Sequence, residues 1–195
     1  MSPHDRCGCS RTTVLPSRRS VLATFACAAL APPLFATAAV AQPVAQPVAK
    51  PTIADDERFM RMAIEEARRA DFPFGAVIVM NGKVMVRGRN LGRTYGDPTA
   101  HGEMVAIRRF LDQYPPVRLR GVTLYTSGEP CAMCMGAILW CHIPRLVFAA
   151  SVTQLATAID QIMLSSAEVA ATAKFAPIEI TGGVLADEAM ALFKK

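Results

Sequence analysis

One imidazole and, 30 residues later, a pair of thiols constrain how this chain can fold. His101 is followed by Pro-Cys-Ala-Met-Cys at 130–134. Cys131 and Cys134 are three residues apart, so on a helix both thiols point to one face. In the first turn of a helix, free N–H groups and the macrodipole lower the pKa of a thiol. Because Asp-Pro-Thr at 97–99 marks a helix boundary just before the histidine, the spacing predicts two helices whose N-termini meet.

One imidazole nitrogen and two thiolates form a ligand set that suits zinc. With His101, Cys131 and Cys134 as ligands, the fourth position stays open for water, as in catalytic zinc sites. A structural site would need a fourth protein ligand, for which Cys141 and His142 are candidates. Cys141 lies seven residues past Cys134, a rise of about 10 Å along a helix, too far for the same metal. We predict a catalytic zinc site. The remaining alternative is that the two cysteines only fill the core and that no metal binds.

Glu103 stands two residues after the histidine and need not bind the metal. A zinc ion with an open position lowers the pKa of its water, so hydroxide is available near neutral pH. Glu103 would take the water proton and deliver it to a ring nitrogen and to the departing amine. The pattern His-x-Glu followed by Pro-Cys-x-x-Cys resembles that of zinc deaminases, which implies hydrolytic deamination: hydroxide attacks an amidine-like carbon that carries an NH₂ group, and ammonia leaves.

The apolar pattern of the remaining chain predicts alternating helices and strands. A hairpin with Asn81-Gly82 as its turn comes first, and strands then alternate with helices. This order indicates an α/β fold, a three-layer α/β/α domain around a central mixed five-stranded sheet. The predicted helices are 55–70, 100–112, 131–141, most of 153–173 and 185–193, and the predicted strands are 74–80, 83–89, 122–126, 146–149 and 178–180.

The first 41 residues have the pattern of an export signal. A basic stretch ends in Arg18-Arg19, an apolar run follows at 21–31, and small residues before Ala41 offer a cleavage site. The paired arginines are typical of a twin-arginine signal, which carries folded proteins; ordinary unfolded export is the alternative. A membrane anchor is disfavoured because Pro32-Pro33 interrupts the apolar run. We therefore predict a signal peptide at 1–41, a linker at 42–54, a catalytic domain at 55–195, and a periplasmic or secreted product without a membrane anchor.

The charge of the chain is unevenly distributed. The net charge is +5, and residues 1–41 carry +3 of it, from four Arg and one Asp. The rest of the chain is close to neutral, so it lacks the basic surface on which nucleic acids usually bind. The composition therefore disfavours nucleic acid as a partner and leaves a small molecule as the expected substrate.

Several motifs resemble the cytidine-deaminase superfamily, in its branch of guanine, cytosine and tRNA-adenosine deaminases. The resemblance covers roughly 57–149 and includes Pro-Phe-Gly-Ala-Val at 73–77 and Leu-Tyr-Thr-Ser-Gly-Glu-Pro-Cys at 124–131. It implies a cytidine deaminase-like fold, a zinc cofactor and a homodimer. It also implies that Asn90 hydrogen-bonds the substrate, that Phe74 lines the ring pocket, and that the main chain of Ala100 faces the base. Asn90 also fits a turn role, and Phe74 a plain core role.

Within this branch the motifs are most similar to guanine deaminases, although three features depart from that pattern. Gly102 replaces the usual Ala, and the chain ends without a longer tail over the pocket. Guanine deaminases also carry an acidic residue soon after the strand at 146–149, whereas here no carboxylate occurs until Asp160. We predict a deaminase of a free nucleobase or nucleoside, with guanine favoured. The alternatives are a tRNA adenosine deaminase and an inactive zinc module that binds purines.

Overall fold

The computed structural model describes residues 53–194. The predicted export signal and almost all of the linker lie outside this range. No helix among the described residues is long and apolar enough to cross a membrane. The helices are α1 Ile53–Arg68, α2 Gly92–Tyr95, α3 Gly102–Leu111, α4 Ala132–Trp140, α5 Val152–Leu155, α6 Ser166–Thr172 and α7 Ala186–Met190, and the strands are β1 Gly75–Met80, β2 Lys83–Arg89, β3 Thr123–Gly128, β4 Arg145–Ala150 and β5 Glu179–Thr181.

The five strands form one mixed sheet in the order β2-β1-β3-β4-β5, as predicted. Strand β1 is antiparallel to both β2 and β3, whereas β3, β4 and β5 are parallel to one another. The hairpin turn is the expected Asn81-Gly82, and both residues have positive φ, as a tight two-residue turn requires. Parallel strands place their carboxyl ends at one edge, so β3 and β4 both deliver the chain to the same end of the sheet.

Helices cover both faces of the sheet, which confirms the three-layer architecture. Along β1 the side chains alternate: Ala76 and Ile78 enter one apolar cluster, and Val77 and Val79 enter the other. The first cluster also contains side chains of α3 and α4, and the second contains side chains of α1, α5 and α7. Because β1 is buried on both faces, its sequence is continuously apolar rather than alternating.

Two glycines allow helices to lie directly on the strands. A Cβ atom on Gly75 would overlap the main chain of α1 at Ala63, and one on Gly88 would overlap the main chain of α3 at Gly102. Helix α3 is therefore seated closely on the β1–β2 hairpin. This contact fixes the position of the N-terminus of α3 on the hairpin, and His101 lies at that N-terminus.

The predicted long helix at 153–173 was wrong. The structure has two short helices there, α5 and α6, with no helix or strand at 156–165. Each has its own capping box: Ser151 pairs with Gln154, and Ser165 pairs with Glu168. A second capping box inside an apolar pattern marks a second helix start, and the prediction did not use that signal. The final predicted helix is α7 followed by a 3₁₀ turn at Ala191–Phe193, and α2 was not predicted.

Candidate zinc and substrate site

The two predicted metal-binding segments lie at helix N-termini. His101 is the residue before α3 and Cys131 is the residue before α4, and both have extended backbone conformations. Cys134 follows in the first turn of α4 and is fully buried. Strand β3 leads into Cys131 after two residues, so the central strand of the sheet determines where the thiols lie. The head-to-head meeting of two helix N-termini, predicted from the spacing, is confirmed.

The donor atoms have the separations of a tetrahedral site. His101 Nδ1 lies 3.7 Å from Cys131 Sγ and 3.6 Å from Cys134 Sγ, and all three ligand atoms lie within 4.8 Å of one another. Bonds of about 2.3 Å to sulfur and about 2.0 Å to nitrogen, at tetrahedral angles, place nitrogen and sulfur about 3.5 Å apart. The two nitrogen–sulfur distances therefore match those of a zinc site.

The candidates for a fourth protein ligand lie elsewhere. Cys141 follows the last residue of α4 and packs against the apolar cluster of α3 and α4. The His142 ring contacts Phe175, with 6.0 Å between ring centroids. Among the described residues, the cluster that could bind a metal ion contains neither Cys141 nor His142. The donor set is thus the three-ligand arrangement of a catalytic site, which leaves a position for water.

Proton affinities within the cluster favour a bound cation. Hydrogen bonds from Cys134 and then from His101 lower the pKa of Cys131 to about 4. The same Cys131 contact, together with burial, raises the pKa of Cys134, and the contact to Cys131 also raises the pKa of His101. Cys131 is therefore a thiolate at neutral pH, whereas Cys134 keeps its proton until a metal ion displaces it from the sulfur.

Glu103 lies in the first turn of α3 and is buried beside the cluster. Its Oε1 accepts a hydrogen bond of 3.3 Å from the Thr126 hydroxyl on β3. Burial raises the pKa of this carboxyl, and the nearby Cys131 charge acts in the same direction. A carboxyl whose pKa is raised towards neutrality can both accept and return a proton. Its position and chemistry suit the predicted proton transfer.

A cavity of about 530 Å³ opens beside His101. This volume is in the usual range for small-molecule sites. Two of the three residues that the resemblance assigned to the substrate, Phe74 and Asn90, line it. The full lining is Phe72, Phe74, Asn90, His101, Ile159, Asp160 and Gln161.

Asn90 combines a turn role with a place in the cavity. Its Oδ1 accepts a hydrogen bond of 3.0 Å from the Gly92 N–H, which fixes the side-chain amide. Ala100 is fully buried and does not line the cavity. Its N–H donates to the Asp97 carbonyl at 3.0 Å, and its carbonyl accepts from the Leu91 N–H at 2.9 Å. Contact of the Ala100 main chain with a base stays a prediction.

The outer wall of the cavity was not predicted. Ile159, Asp160 and Gln161 belong to the irregular segment between α5 and α6, and the incorrect helix at 153–173 concealed their position. The one available signal was Asp160, the first carboxylate after β4. The structure brings this carboxylate to the same cavity as His101, although 59 positions separate them in the sequence.

Comparisons with known proteins agree with this geometry. Residues 53–150 match the family model of the cytidine and deoxycytidylate deaminase zinc-binding region. The chain is 39% identical over 102 residues to the tRNA-specific adenosine deaminase of Bacillus subtilis, covering 50% of this chain and 63% of that protein. It is 45% identical over 86 residues to the guanine deaminase of the same organism, covering 44% of this chain and 55% of that protein.

A solved structure from a study of A-to-I editing by tRNA:A34 deaminases has the same fold. It superposes with a TM-score of 0.61 at 33% identity, over 69% of this chain and 98% of that chain. Some of these relatives are named as tRNA deaminases, so the comparisons do not support the expectation that nucleic acid is an unlikely partner. The family model spans half of the chain and contains all three ligand residues, so this protein belongs to the cytidine and deoxycytidylate deaminase family and has zinc as its cofactor.

Proposed function

We propose that this chain is a hydrolytic deaminase of a free nucleobase or nucleoside, with guanine as the favoured substrate. The observation that carries the proposal is the composition of one cavity, which His101, Asn90 and Asp160 line together with Phe74. A flat apolar ring with a few polar groups around it suits a planar heterocycle.

The reaction requires water to add to the carbon that carries the amino group and the C–N bond to break. When bound, zinc supplies a Lewis acid that makes water a nucleophile near neutral pH. Glu103 would move two protons in turn: the first from the attacking water to the ring nitrogen, and the second from the newly added hydroxyl to the amine, so that ammonia leaves and a carbonyl remains. The Thr126 hydroxyl holds Glu103 Oε1 in place during these transfers.

Asp160 supports guanine over bases with fewer donors. An ionised carboxylate only accepts hydrogen bonds, and guanine presents ring N–H donors besides the exocyclic amino group that leaves as ammonia. In the sequence, the first acidic residue after β4 comes later than in guanine deaminases. Asp160 nevertheless lines the cavity, so the pocket has a carboxylate that comes from a different position in the chain. The buried Glu103 argues against an inactive purine-binding module, because a binder gains nothing from a carboxyl that is costly to bury.

A tRNA adenosine deaminase is the second candidate, and the similarity to the tRNA-specific enzyme of Bacillus subtilis supports it. The test is ammonia release by the zinc-loaded full chain from guanine, cytosine, guanosine, cytidine and adenosine, with a tRNA anticodon stem-loop measured in parallel. We expect turnover of guanine and no inosine in the RNA. Inosine formation without release from any free base would replace the proposal with the second candidate.

We also infer that the protein is a homodimer. Trp140 at the end of α4 is 75% exposed and stacks on Phe175, which is 50% exposed, with 4.9 Å between ring centroids. Exposed aromatic pairs of this kind are typical of interface centres. Light scattering should give twice the chain mass, and Trp140→Ser should shift the protein towards monomer.

Export to the periplasm or the medium is proposed from the sequence alone. Arg18-Arg19 before the apolar run supports the twin-arginine route. Fractionation of cells that produce the full chain should find a shortened product outside the cytoplasm. Replacing both arginines with lysine should leave the uncleaved chain inside, and an uncleaved, cytoplasmic native chain would contradict the proposal.

A further inference from the structure

One buried carboxylate contacts the first residues of two helices. Glu129 follows β3 directly and is 8% exposed. Its Oε2 accepts a hydrogen bond of 2.8 Å from the Val152 N–H, and its Oε1 accepts one of 2.7 Å from the Ser166 N–H. Its own N–H donates to the Ala150 carbonyl at 2.7 Å, which ties this residue to the end of β4. Glu129 is thus held at both its main chain and its side chain.

The two donors are groups that a short helix cannot satisfy by itself. Val152 and Ser166 are the first residues of α5 and α6, and the first N–H groups of a helix have no acceptor within it. The capping boxes bind the amides of Gln154 and Glu168, two residues further on, so Glu129 serves different groups. Negative charge at a helix N-terminus is favourable, and a carboxylate that accepts two amides is a strong acceptor.

These two helices are the ends of the outer cavity wall. The segment 156–165, which runs from the end of α5 to the start of α6, contains Ile159, Asp160 and Gln161 of the lining. Its remaining part is open to solvent, with Ile162 62% and Met163 57% exposed. Ile159 packs against the apolar cluster of α1, α5 and α7, and the exposed remainder of the segment takes its position from its ends. Because the first residues of α5 and α6 bind the same carboxylate, the starts of these two helices are held side by side.

The same short stretch of chain carries a metal ligand. Glu129 is two residues before Cys131, and only Pro130 lies between them. We propose that Glu129 is a positioning residue that holds the segment 156–165 against the metal-binding end of α4, and so sets how tightly the substrate binds without touching it. The substrate half of this inference rests on the proposed function, whereas the holding of the segment does not.

The test is Glu129→Gln in the zinc-loaded full chain. The amide keeps one acceptor but turns an NH₂ group towards the other helix N–H, so one of the two contacts is lost. Hydrogen exchange of the segment 156–165 should become about tenfold faster, and KM should rise about tenfold with kcat within about threefold. Zinc content should stay at the wild-type value. The matched control is Glu168→Gln, which alters an exposed carboxylate at the same end of the segment and should change exchange and KM by less than about twofold.

A second measurement uses the wild-type protein and does not depend on the variant folding. The amides of Val152 and Ser166 should exchange far more slowly than those of 160–163, although first-turn amides normally lack protection. Equal exchange at these positions, or an unchanged KM in a folded Glu129→Gln, would overturn the inference. If no base is turned over at all, the exchange data still decide the role of Glu129, and only the proposed function fails.

Discussion

The metal-binding end and the outer wall of the cavity are built in different ways. The metal-binding end lies on α3 and α4, of 10 and 9 residues, with Glu103 and Cys134 buried against the sheet. The outer wall is an irregular segment between helices of 4 and 7 residues, and much of it is exposed. Rigid elements suit groups that must stay aligned for chemistry, and loops suit groups that choose a ligand.

The largest effect is expected at Glu103. Replacing it with Gln removes the proton acceptor, so kcat should fall by about 10²- to 10⁴-fold. The zinc content should not change, because Glu103 lies outside the three-ligand cluster. Metal analysis and steady-state kinetics on the same preparation check both points. The larger truncation Glu103→Ala should behave alike, and turnover retained in either variant would remove Glu103 from the mechanism.

Zinc affinity should depend steeply on pH. Cys131, with its pKa of about 4, is already a thiolate at pH 6, whereas the raised pKa values of Cys134 and His101 keep both protonated. Binding therefore releases about two protons near pH 6 and about one above the pKa of His101, so affinity falls about a hundredfold and about tenfold per unit of acidification in those ranges. Calorimetry in buffers of different ionisation enthalpy counts these protons. Release of three protons near pH 6 would show that Cys131 is a protonated thiol in the metal-free protein.

The role of the outer wall in substrate recognition is tested by replacing Asp160. Asp160→Asn keeps the shape but replaces a charged acceptor, so KM for guanine should rise about ten- to hundredfold while kcat changes little. The neighbouring Gln161→Asn serves as a control for a general disturbance of the same wall. Parallel assays with cytosine separate recognition from folding, since its KM should change less. A fall in kcat with an unchanged KM would move Asp160 from recognition to the chemical step.

The same division explains what could be predicted from the sequence. Each half of the site at α3 and α4 was predicted because its residues lie within a few positions of a helix N-terminus, and the meeting of the two halves was inferred from their shared ligand chemistry. The five-stranded sheet was likewise predicted from local patterns, with Asn81-Gly82 as its turn. The outer wall depends on Glu129 binding two helix starts 14 positions apart in the sequence, Val152 and Ser166. Such a long-range contact has no local pattern, so periodicity alone extended one helix across 153–173.

The smallest effect concerns the packing of the start of α3 against the start of β1. A Cβ on Gly102, at the start of α3, would lie 3.1 Å from the Phe74 carbonyl and 3.2 Å from Gly75 Cα, whereas one on Gly136 within α4 would meet nothing within 4 Å. Ala favours a helix by up to about 1 kcal/mol over Gly.

Gly136→Ala should therefore raise the free energy of unfolding by about 0.5–1 kcal/mol, and Gly102→Ala should not, because main-chain crowding offsets the gain. Denaturant unfolding of both variants, at one protein concentration, makes the comparison. An equal gain for Gly102→Ala would show that β1 moves freely under α3. In that case the start of the metal-binding helix would not fix the position of Phe74, which lines the cavity beside His101.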